Sequence, residues 1–445
     1  MGIFRRRVVG AFCLGAALAF ACAAQAPKIA NQDPARGSGV KTRTLGAKFP
    51  EKPSLAPSFT IPVDAFGFAA PGALYLGMRD TMVSLDFLSE DQLLFTFRVP
   101  GLQRREAGSE DSRQIKAVLL ALPAGTVVAQ AQWTLHARAR YLWMLNDAHF
   151  LVRDRNSLLE GDNSLALKPY LKYPGPLLSL DLDPAQRLMI TNSSEPASVV
   201  SGAGSATSQD GDDSEAATNP EAAANIVLRI IDRASIKVML ATRVRSPVSL
   251  ATNSDGYLGV LRGKSDRWTI ELNPFIGASN KLLGEIESSC VPQLEFAGEK
   301  LVLANSCTDN GNTYMTALTA NGQTLWRNLF PEQTVWPITK MAPNGLRIAR
   351  ENLLVSHAIA SFAPLTSEEI KGQLVRIFDA ATGEVALEAQ ANPVLDGGGN
   401  VAISPSGRRV ALLAANGIQI FDLPSPPPLP AAVSSVEARP SESGP

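Results

Sequence analysis

The sequence contains few of the residue types that most often carry enzyme chemistry. Its 445 residues include three histidines and four cysteines, and only 6% of its residues are aromatic. The histidines His136, His149 and His357 are far apart, and no group of His, Cys, Asp and Glu has metal-ligand spacing. His149 alternates with apolar residues, which indicates a core side chain, whereas His357 follows a strand end. We therefore predict no metal site and no catalytic histidine.

Motifs of the common reactions are also missing. The chain has no Gly-x-Ser-x-Gly nucleophile elbow and no Walker-type phosphate loop. The glycine run 397–399 precedes a predicted strand, so it lacks the helix N-terminus that phosphate binding uses. The segment 309–312, Asp-Asn-Gly-Asn, is the one near match to a calcium loop, and Asx-Gly turn chemistry explains it more simply. The sequence thus predicts no catalytic residues and no cofactor.

The chain carries no excess of charge of either sign. Its 41 Lys and Arg residues and 42 Asp and Glu residues give a formal net charge of −1. No basic stretch stands out that could neutralise a phosphate backbone, so we do not expect nucleic acid as a partner. Helical periodicity is also rare. The 45% of hydrophobic residues are sufficient for a large core, and their arrangement favours an all-β fold.

The N-terminus has the pattern of a signal peptide over residues 1–24. Three arginines at positions 5–7 precede an Ala/Gly/Leu-rich run, which is too short and too weakly apolar for a convincing membrane anchor. Cleavage after Ala24 would make Gln25 the first mature residue. Lipidation of Cys22, a twin-arginine signal at Arg5-Arg6 and an uncleaved anchor remain alternatives. We expect a secreted or periplasmic protein with no transmembrane domain after signal removal.

Two of the four cysteines remain after that cleavage. An even pair in an exported protein favours a disulfide between Cys290 and Cys307. Two apolar runs between them flank a turn at 297–299, which places both cysteines near the open end of one hairpin. Closing a loop of this size contributes about 3 kcal/mol in the chain-entropy model. Two buried free thiols are the alternative.

Three further segments have compositions that do not predict a packed core. Residues 25–72 are rich in Pro, Lys and Gly and indicate an extended linker. Residues 193–224 contain no aromatic residue, Lys or Arg, and residues 424–445 are rich in Pro and Ser. We expect disorder in both, with a flexible binding arm as the alternative for 193–224.

The remaining residues, 73–423, contain many short apolar runs separated by turn residues. They group into about seven units of 45 to 50 residues, which is the length of a propeller blade at ~40–50 residues. The fold class is therefore all-β, a β-propeller of seven four-stranded blades. The last unit, 401–423, has three clear strands. Because propellers close their ring to avoid free edges, we expect an N-terminal strand near Leu74–Met78 to supply its outer strand.

Two segments resemble known propellers. Phe378-Asp379 followed by Thr382-Gly383, and Ser404-Pro405-Ser406-Gly407 before an apolar strand, are similar to bacterial WD-repeat-like and quinoprotein-like propellers. This resemblance covers residues 74–423 and implies the fold. Residues 317–326 resemble the tryptophan docking motif of pyrroloquinoline-quinone propellers, with Thr319 where that motif prefers Asp. Since the motif occurs once, we predict no quinone and expect Trp326 to pack between blades.

The most economical function is therefore binding. We expect an exported, monomeric scaffold that binds a protein or a small molecule and has no identifiable catalytic motif. An envelope assembly factor similar to quinoprotein-like scaffolds is a variant of this hypothesis. The alternative is a propeller enzyme (a hydrolase, lyase or oxidoreductase) whose site lies at the central channel. That alternative predicts converging carboxylates, His or Arg in the channel.

Overall fold

The structure is a computed structural model with an all-β architecture. It describes residues 40–72, 81–100, 112–136, 140–195, 225–277, 279–331, 333–357, 368–395 and 398–429. The predicted signal peptide, residues 196–224 of the predicted insert and residues 430–445 of the predicted tail lie outside these ranges. Within them, no helix is long and apolar enough to cross a membrane.

The strands form seven sheets, which are the blades of a propeller. Two strands precede the first blade: β1 (Lys41–Thr44) and β2 (Phe59–Ile61). Blade 1 contains β3 (Ser84–Ser89), β4 (Gln92–Arg98), β5 (Arg113–Ala121) and β6 (Thr126–Leu135). Blade 2 contains β7 (Leu142–Met144), β8 (Phe150–Asp154), β9 (Ser157–Gly161) and β10 (Lys168–Lys172). Blade 3 contains β11 (Leu177–Leu182), β12 (Leu188–Glu195), β13 (Asn225–Asp232) and β14 (Lys237–Val244).

The second half of the ring follows the same meander. Blade 4 contains β15 (Gly256–Arg262), β16 (Arg267–Pro274) and β17 (Lys281–Glu287). Blade 5 contains β18 (Gln293–Ala297), β19 (Leu301–Cys307), β20 (Thr313–Thr319) and β21 (Thr324–Phe330). Blade 6 contains β22 (Thr334–Met341), β23 (Arg347–Val355), β24 (Ile370–Asp379) and β25 (Val385–Ala391). Blade 7 contains β26 (Val401–Ile403), β27 (Arg409–Ala414) and β28 (Gly417–Asp422).

Blade 4 keeps only a short inner strand. Thr252 forms an isolated antiparallel bridge with Tyr257, and Leu258 N–H donates to Ala251 O at 2.8 Å. Residues 249–252 therefore occupy the position of the inner strand, and blade 4 has four strand positions like the other blades. The prediction of seven four-stranded blades is confirmed.

The core is divided among the junctions between blades. Each of seven apolar clusters lies between two neighbouring blades, so the ring is continuous around all seven junctions. The cluster between blades 7 and 1, for example, joins Phe95 and Leu85 to Ala411 and Ile420, all four fully buried. The second strands of blades 1 and 6, β4 and β23, are buried along most or all of their length because both of their faces meet another blade.

An N-terminal strand closes the ring, as predicted, but it is a different segment from the predicted one. β2 pairs antiparallel with β28, with Phe59 opposite Ile420 and Ile61 opposite Ile418, and so becomes the outer strand of blade 7. The prediction that Leu74–Met78 fills this place is wrong, since Phe59–Ile61 occupies it; residues 73–80 themselves lie outside the described residues. The sequence pattern missed β2 because it has three residues and Pro57 and Pro62 flank it.

The segment predicted as a linker also holds β1. This strand adds in parallel to β21, the outer strand of blade 5. Between β1 and β2, Ser54 N–H donates to Glu388 O on β25 at 2.9 Å, and Arg376 donates to Gly46 O at 2.6 Å. We call residues 40–61 the N-terminal strap, because they contact the outer part of blades 5, 6 and 7 in turn.

The predicted disulfide is confirmed. Cys290 precedes β18 and Cys307 ends β19, and the two residues are bonded with a Cα–Cα distance of 5.5 Å. Ser288, which is 3% exposed, accepts hydrogen bonds from Cys290 N–H at 3.3 Å and Cys307 N–H at 3.0 Å. The bond therefore ties the connection between blades 4 and 5 to the second strand of blade 5.

Candidate functional site

The inner strands of all seven blades line one cavity of about 370 Å³ at the centre of the ring. We call it the channel cavity. One residue of each blade, in blade order, is Asp86, Trp143, Asp181, Ser249, Glu295, Lys340 and Ala402. Because each side chain is fixed by a strand of a different blade, the cavity wall is preformed.

Glu295 is the lining carboxylate that the protein leaves without a partner. It lies on β18, half-buried, and among the described residues it has no hydrogen bond and no ion pair within 4 Å. Burial raises the pKa of Glu295 to about 7; Arg350 and Arg140 act in the opposite direction, and Asp181 adds to the rise. The carboxyl therefore changes its charge close to neutral pH.

Two other charged side chains lie on the same side of the cavity. Asp181 on β11 accepts a hydrogen bond from Ser249 Oγ at 3.2 Å. The Arg140 guanidinium lies 5.1 Å from the centre of the Trp143 ring, in a cation–π contact. Two hydrogen-bond acceptors, Asp181 of blade 3 and Glu295 of blade 5, and one donor, Arg140 of blade 2, thus line the channel cavity.

The opposite side of the cavity is already internally paired. Lys340 Nζ donates to Val401 O at 2.8 Å and lies 3.8 Å from Asp86 Oδ1. Ser84 Oγ donates a short hydrogen bond to Asp86. These contacts join blades 6, 7 and 1, so this pair stabilises the ring and leaves fewer free groups for a ligand.

A buried polar network lies behind that pair. Glu351 on β23 is 1% exposed, and its Oε2 accepts a hydrogen bond from Gln373 Nε2 at 2.9 Å. Gln373 Oε1 accepts in turn from Asn400 Nδ2 at 2.7 Å and from Leu395 N–H at 2.8 Å. Burial raises the pKa of Glu351 to about 7, Lys340 lowers it and Asp86 raises it. The Glu351 carboxyl at the junction of blades 6 and 7 therefore keeps its proton to a higher pH than an ordinary glutamate does.

The three histidines do not contribute to this site. His136 Nδ1 lies 3.2 Å from Asp154 Oδ2, and His357 Nε2 lies 3.5 Å from Glu369 Oε1. The interpretation of His149 as a core side chain is wrong: its side chain is 42% exposed and its Nδ1 lies 2.9 Å from Asp147 O. His149 follows a turn and directly precedes β8, so it lies outside the strand whose apolar pattern suggested a core position.

Trp326 packs between blades 5 and 6, as the sequence predicted. It is 2% exposed, and its indole Nε1–H donates to Ala380 O at 2.8 Å. Gly383 lies under the ring with φ +66°, and a Cβ at that position would overlap the indole. The turn of one blade therefore receives the tryptophan of the preceding blade, which is a structural role away from the channel cavity.

The sequence matches no protein-family model and no curated protein sequence. Matching solved structures include an acylaminoacyl peptidase of Pyrococcus horikoshii, with a TM-score of 0.44, 10% identity, and 78% of this chain and 52% of that chain covered. A chain of a mitotic checkpoint complex matches with a TM-score of 0.42 and 12% identity over 85% of this chain and 99% of that one. Hydrazine synthase of Kuenenia stuttgartiensis matches with a TM-score of 0.39 and 9% identity, over 78% and 96%.

These similarities do not identify a function. This chain spans about half the length of the peptidase chain it matches. At these identities and TM-scores the matches say nothing about a ligand of this chain, because unrelated functions occur on the same fold. The class of this protein is therefore defined by its own architecture: it is a seven-bladed β-propeller with a polar central cavity.

Proposed function

We propose that this chain is an exported binding protein that takes a small polar ligand in the channel cavity and does not convert it. The observation that carries this proposal is the Glu295 carboxyl, which faces the cavity without a partner among the described residues. Because this carboxyl is half-buried and faces the cavity, a ligand that donates to it would replace solvent there, and a hydrogen bond to a charged group contributes about 1.5–3 kcal/mol.

The groups around Glu295 suit a ligand with both donors and acceptors. Glu295 and Asp181 accept hydrogen bonds, and Arg140 donates them. Volumes of roughly 300–1,000 Å³ are common for small-molecule sites, and this cavity lies at the lower end of that range. A sugar, an amino acid or a polyol has the size and the polar groups for this site.

Export is the second part of the proposal. The Cys290–Cys307 disulfide supports it, because structural disulfides form and persist in oxidising compartments such as the periplasm and the extracellular space. The rigid ring supports a binding role, since ligand contacts on seven different blades need little rearrangement.

The test is thermal melting of the full chain against a library of sugars, amino acids, polyols and organic acids. We expect at least one compound to raise Tm, and Glu295→Gln to weaken its binding by about tenfold or more. The matched control is Glu285→Gln on β17, whose side chain is 59% exposed. A compound that binds wild type and Glu295→Gln equally would place the binding site elsewhere.

Catalysis in the channel is the second candidate. The Glu295 pKa of about 7 favours it, because an acid–base catalyst works best with a pKa near the working pH. Asp181 beside it gives the converging carboxylates that a channel enzyme requires. Mass spectrometry of the bound compound after incubation separates the candidates: product formed by wild type and not by Glu295→Gln contradicts the binding role and supports the enzyme.

A further inference from the structure

Blades 3, 6 and 7 join their first two strands with the same tight turn. In each, the turn closes through a backbone hydrogen bond from the fourth residue to the first, at 2.8, 2.8 and 2.9 Å. The first residues of the three turns are Asp183, Ala342 and Ser404, and the fourth residues are Gln186, Gly345 and Gly407. A comparison of the three turns therefore separates the side chains that the turn requires from those that occur in blade 3 for another reason.

Asp183 supplies more than this turn requires. In blade 7 the hydroxyl of Ser404 accepts from Arg409 N–H at 3.1 Å, and in blade 3 Asp183 Oδ1 does the same work for Leu188 N–H at 2.6 Å. The second oxygen, Asp183 Oδ2, is buried and accepts no hydrogen bond from the described residues. The residue as a whole is 1% exposed and lines the channel cavity.

Gln186 is the second departure from the common turn. Its φ is +56°, in the left-handed region where Gly345 and Gly407 stand at +72° and +73°. A glutamine at such a position is unfavourable relative to glycine. Its side chain also lines the cavity, and its Oε1 is buried without a donor. Blade 3 thus keeps a side chain where the equivalent turns need none.

Two more buried oxygens without a hydrogen-bond partner among the described residues lie in the next two blades. Thr252, at the inner strand of blade 4, is 3% exposed, lines the cavity and has an unpaired Oγ1. Glu299, in the first turn of blade 5, uses Oε2 to accept from Ser254 N–H at 3.2 Å and Ser254 Oγ at 2.8 Å. Its Oε1 is buried and unpaired.

We propose that Asp183, Gln186, Thr252 and Glu299 bind one divalent cation of the calcium type at the junction of blades 3, 4 and 5. Carboxylate, amide and hydroxyl oxygens are the ligands that Ca²⁺ takes, and water completes its shell of six to eight. Two carboxylates balance its charge. Among the described residues no group of three or more His, Cys, Asp and Glu side chains could hold a metal ion. The proposed set has two carboxylates, and its other two ligands are an amide and a hydroxyl.

Two of the proposed ligands are carboxylates on different blades, and Glu299 acts on Asp183 as a like charge. A cation between them would offset their repulsion.

The packing at this junction gives the cation a role. Among the described residues, the apolar cluster between blades 3 and 4 has four buried members, and all four belong to blade 3: Leu188, Ile190, Leu228 and Ile230. Blade 4 supplies only partly buried contacts there. A cation that binds ligands on blades 3, 4 and 5 would therefore stabilise the junction with the least apolar support.

The test is calcium binding to the full chain after treatment with a chelator, measured by titration calorimetry and by Tm. We expect Ca²⁺ to raise Tm of the wild type and Mg²⁺ to do so less. Asp183→Ser and Gln186→Gly introduce the residues of the equivalent blade 7 turn, so both keep the turn, and their Tm in chelator serves as the check. Each should weaken Ca²⁺ binding at least tenfold.

Two controls make the result specific. Asp309→Asn alters the calcium-loop-like segment 309–312, and Glu295→Gln alters the proposed ligand group; both should bind Ca²⁺ like the wild type. No calcium effect on the wild type, unchanged binding in Asp183→Ser, or loss of binding in Asp309→Asn would each overturn the proposal. We expect Glu295→Gln to leave Ca²⁺ binding unchanged, so a failure of the calcium proposal is distinguishable from a failure of the proposed channel ligand.

Discussion

Glu351 gives the protein a titration at the junction of blades 6 and 7. Its folded pKa is raised by burial to about 7, above the ordinary value of 4.5. Between these values the folded protein keeps a proton that the unfolded chain releases. The free energy of unfolding therefore falls as pH rises through this window, and the loss is complete above the folded pKa.

Glu351→Gln should remove this loss. The amide keeps the contact with Gln373 and carries no charge, so we expect the variant to exceed the wild type at pH 8 by about 1–3 kcal/mol in free energy of unfolding. At pH 4 the two should be nearly equal. Denaturant unfolding at both pH values measures the difference, with Glu285→Gln as the exposed control. A variant less stable than wild type at pH 8 would show that Glu351 is ionised and stabilising.

At the scale of elements, the N-terminal strap is the part that the sequence described least well. Its closing strand β2 buries Ile61 at 5% exposure and pairs with β28 over three residues. We expect a chain that begins at Val63 to lose about 3 kcal/mol relative to one that begins at Leu55, from the burial of Ile61 and the lost ladder bonds.

Both truncated chains lack β1, so the comparison isolates β2. Chemical denaturation gives the two free energies of unfolding, and circular dichroism at low denaturant checks that each chain folds. Equal stabilities would mean that β2 does not close the ring, and the outer strand of blade 7 would then have to come from another segment.

The strands that the sequence predicted best are those with apolar runs bounded by turn residues. Arg409–Ala414 and Gly417–Asp422 are two examples, because burial at most of their positions requires apolar runs. β2 was harder, because three residues carry no period. Its strand state comes from the partner strand β28, which the local sequence does not contain.

The channel site was not predictable by the same reasoning. Glu295 stands in an ordinary strand, Gln-Leu-Glu-Phe-Ala, where the polar position reads as solvent-facing. Its neighbours Arg140 and Asp181 lie on other blades, and only ring closure brings them to one cavity. The unusual fourth residue of the blade 3 turn, Gln186, was the one local signal, visible once the turns are compared.

At the scale of the whole molecule, seven blade junctions form one ring. The cellular location of the protein is a prediction from its sequence. We expect the mature protein to begin at Gln25 and to be found outside the cytoplasm. Mass spectrometry of protein from the periplasmic and culture fractions measures the first residue and the disulfide together. An unprocessed N-terminus with free thiols at Cys290 and Cys307 would contradict export. Light scattering should give the mass of a monomer.

The strap also sets an order of events for folding. Ser58 accepts a hydrogen bond from Asp422 N–H, 364 positions further along the chain. The part of the strap that pairs with blade 7, residues 58–61, therefore stays without its partner strand until the last blade has been synthesised. Contacts so distant in sequence are slow to form. Until then the apolar faces of blades 7 and 1 are not packed against each other, and the ring is open at this junction. Aggregation through the exposed apolar surface competes with closure during this time.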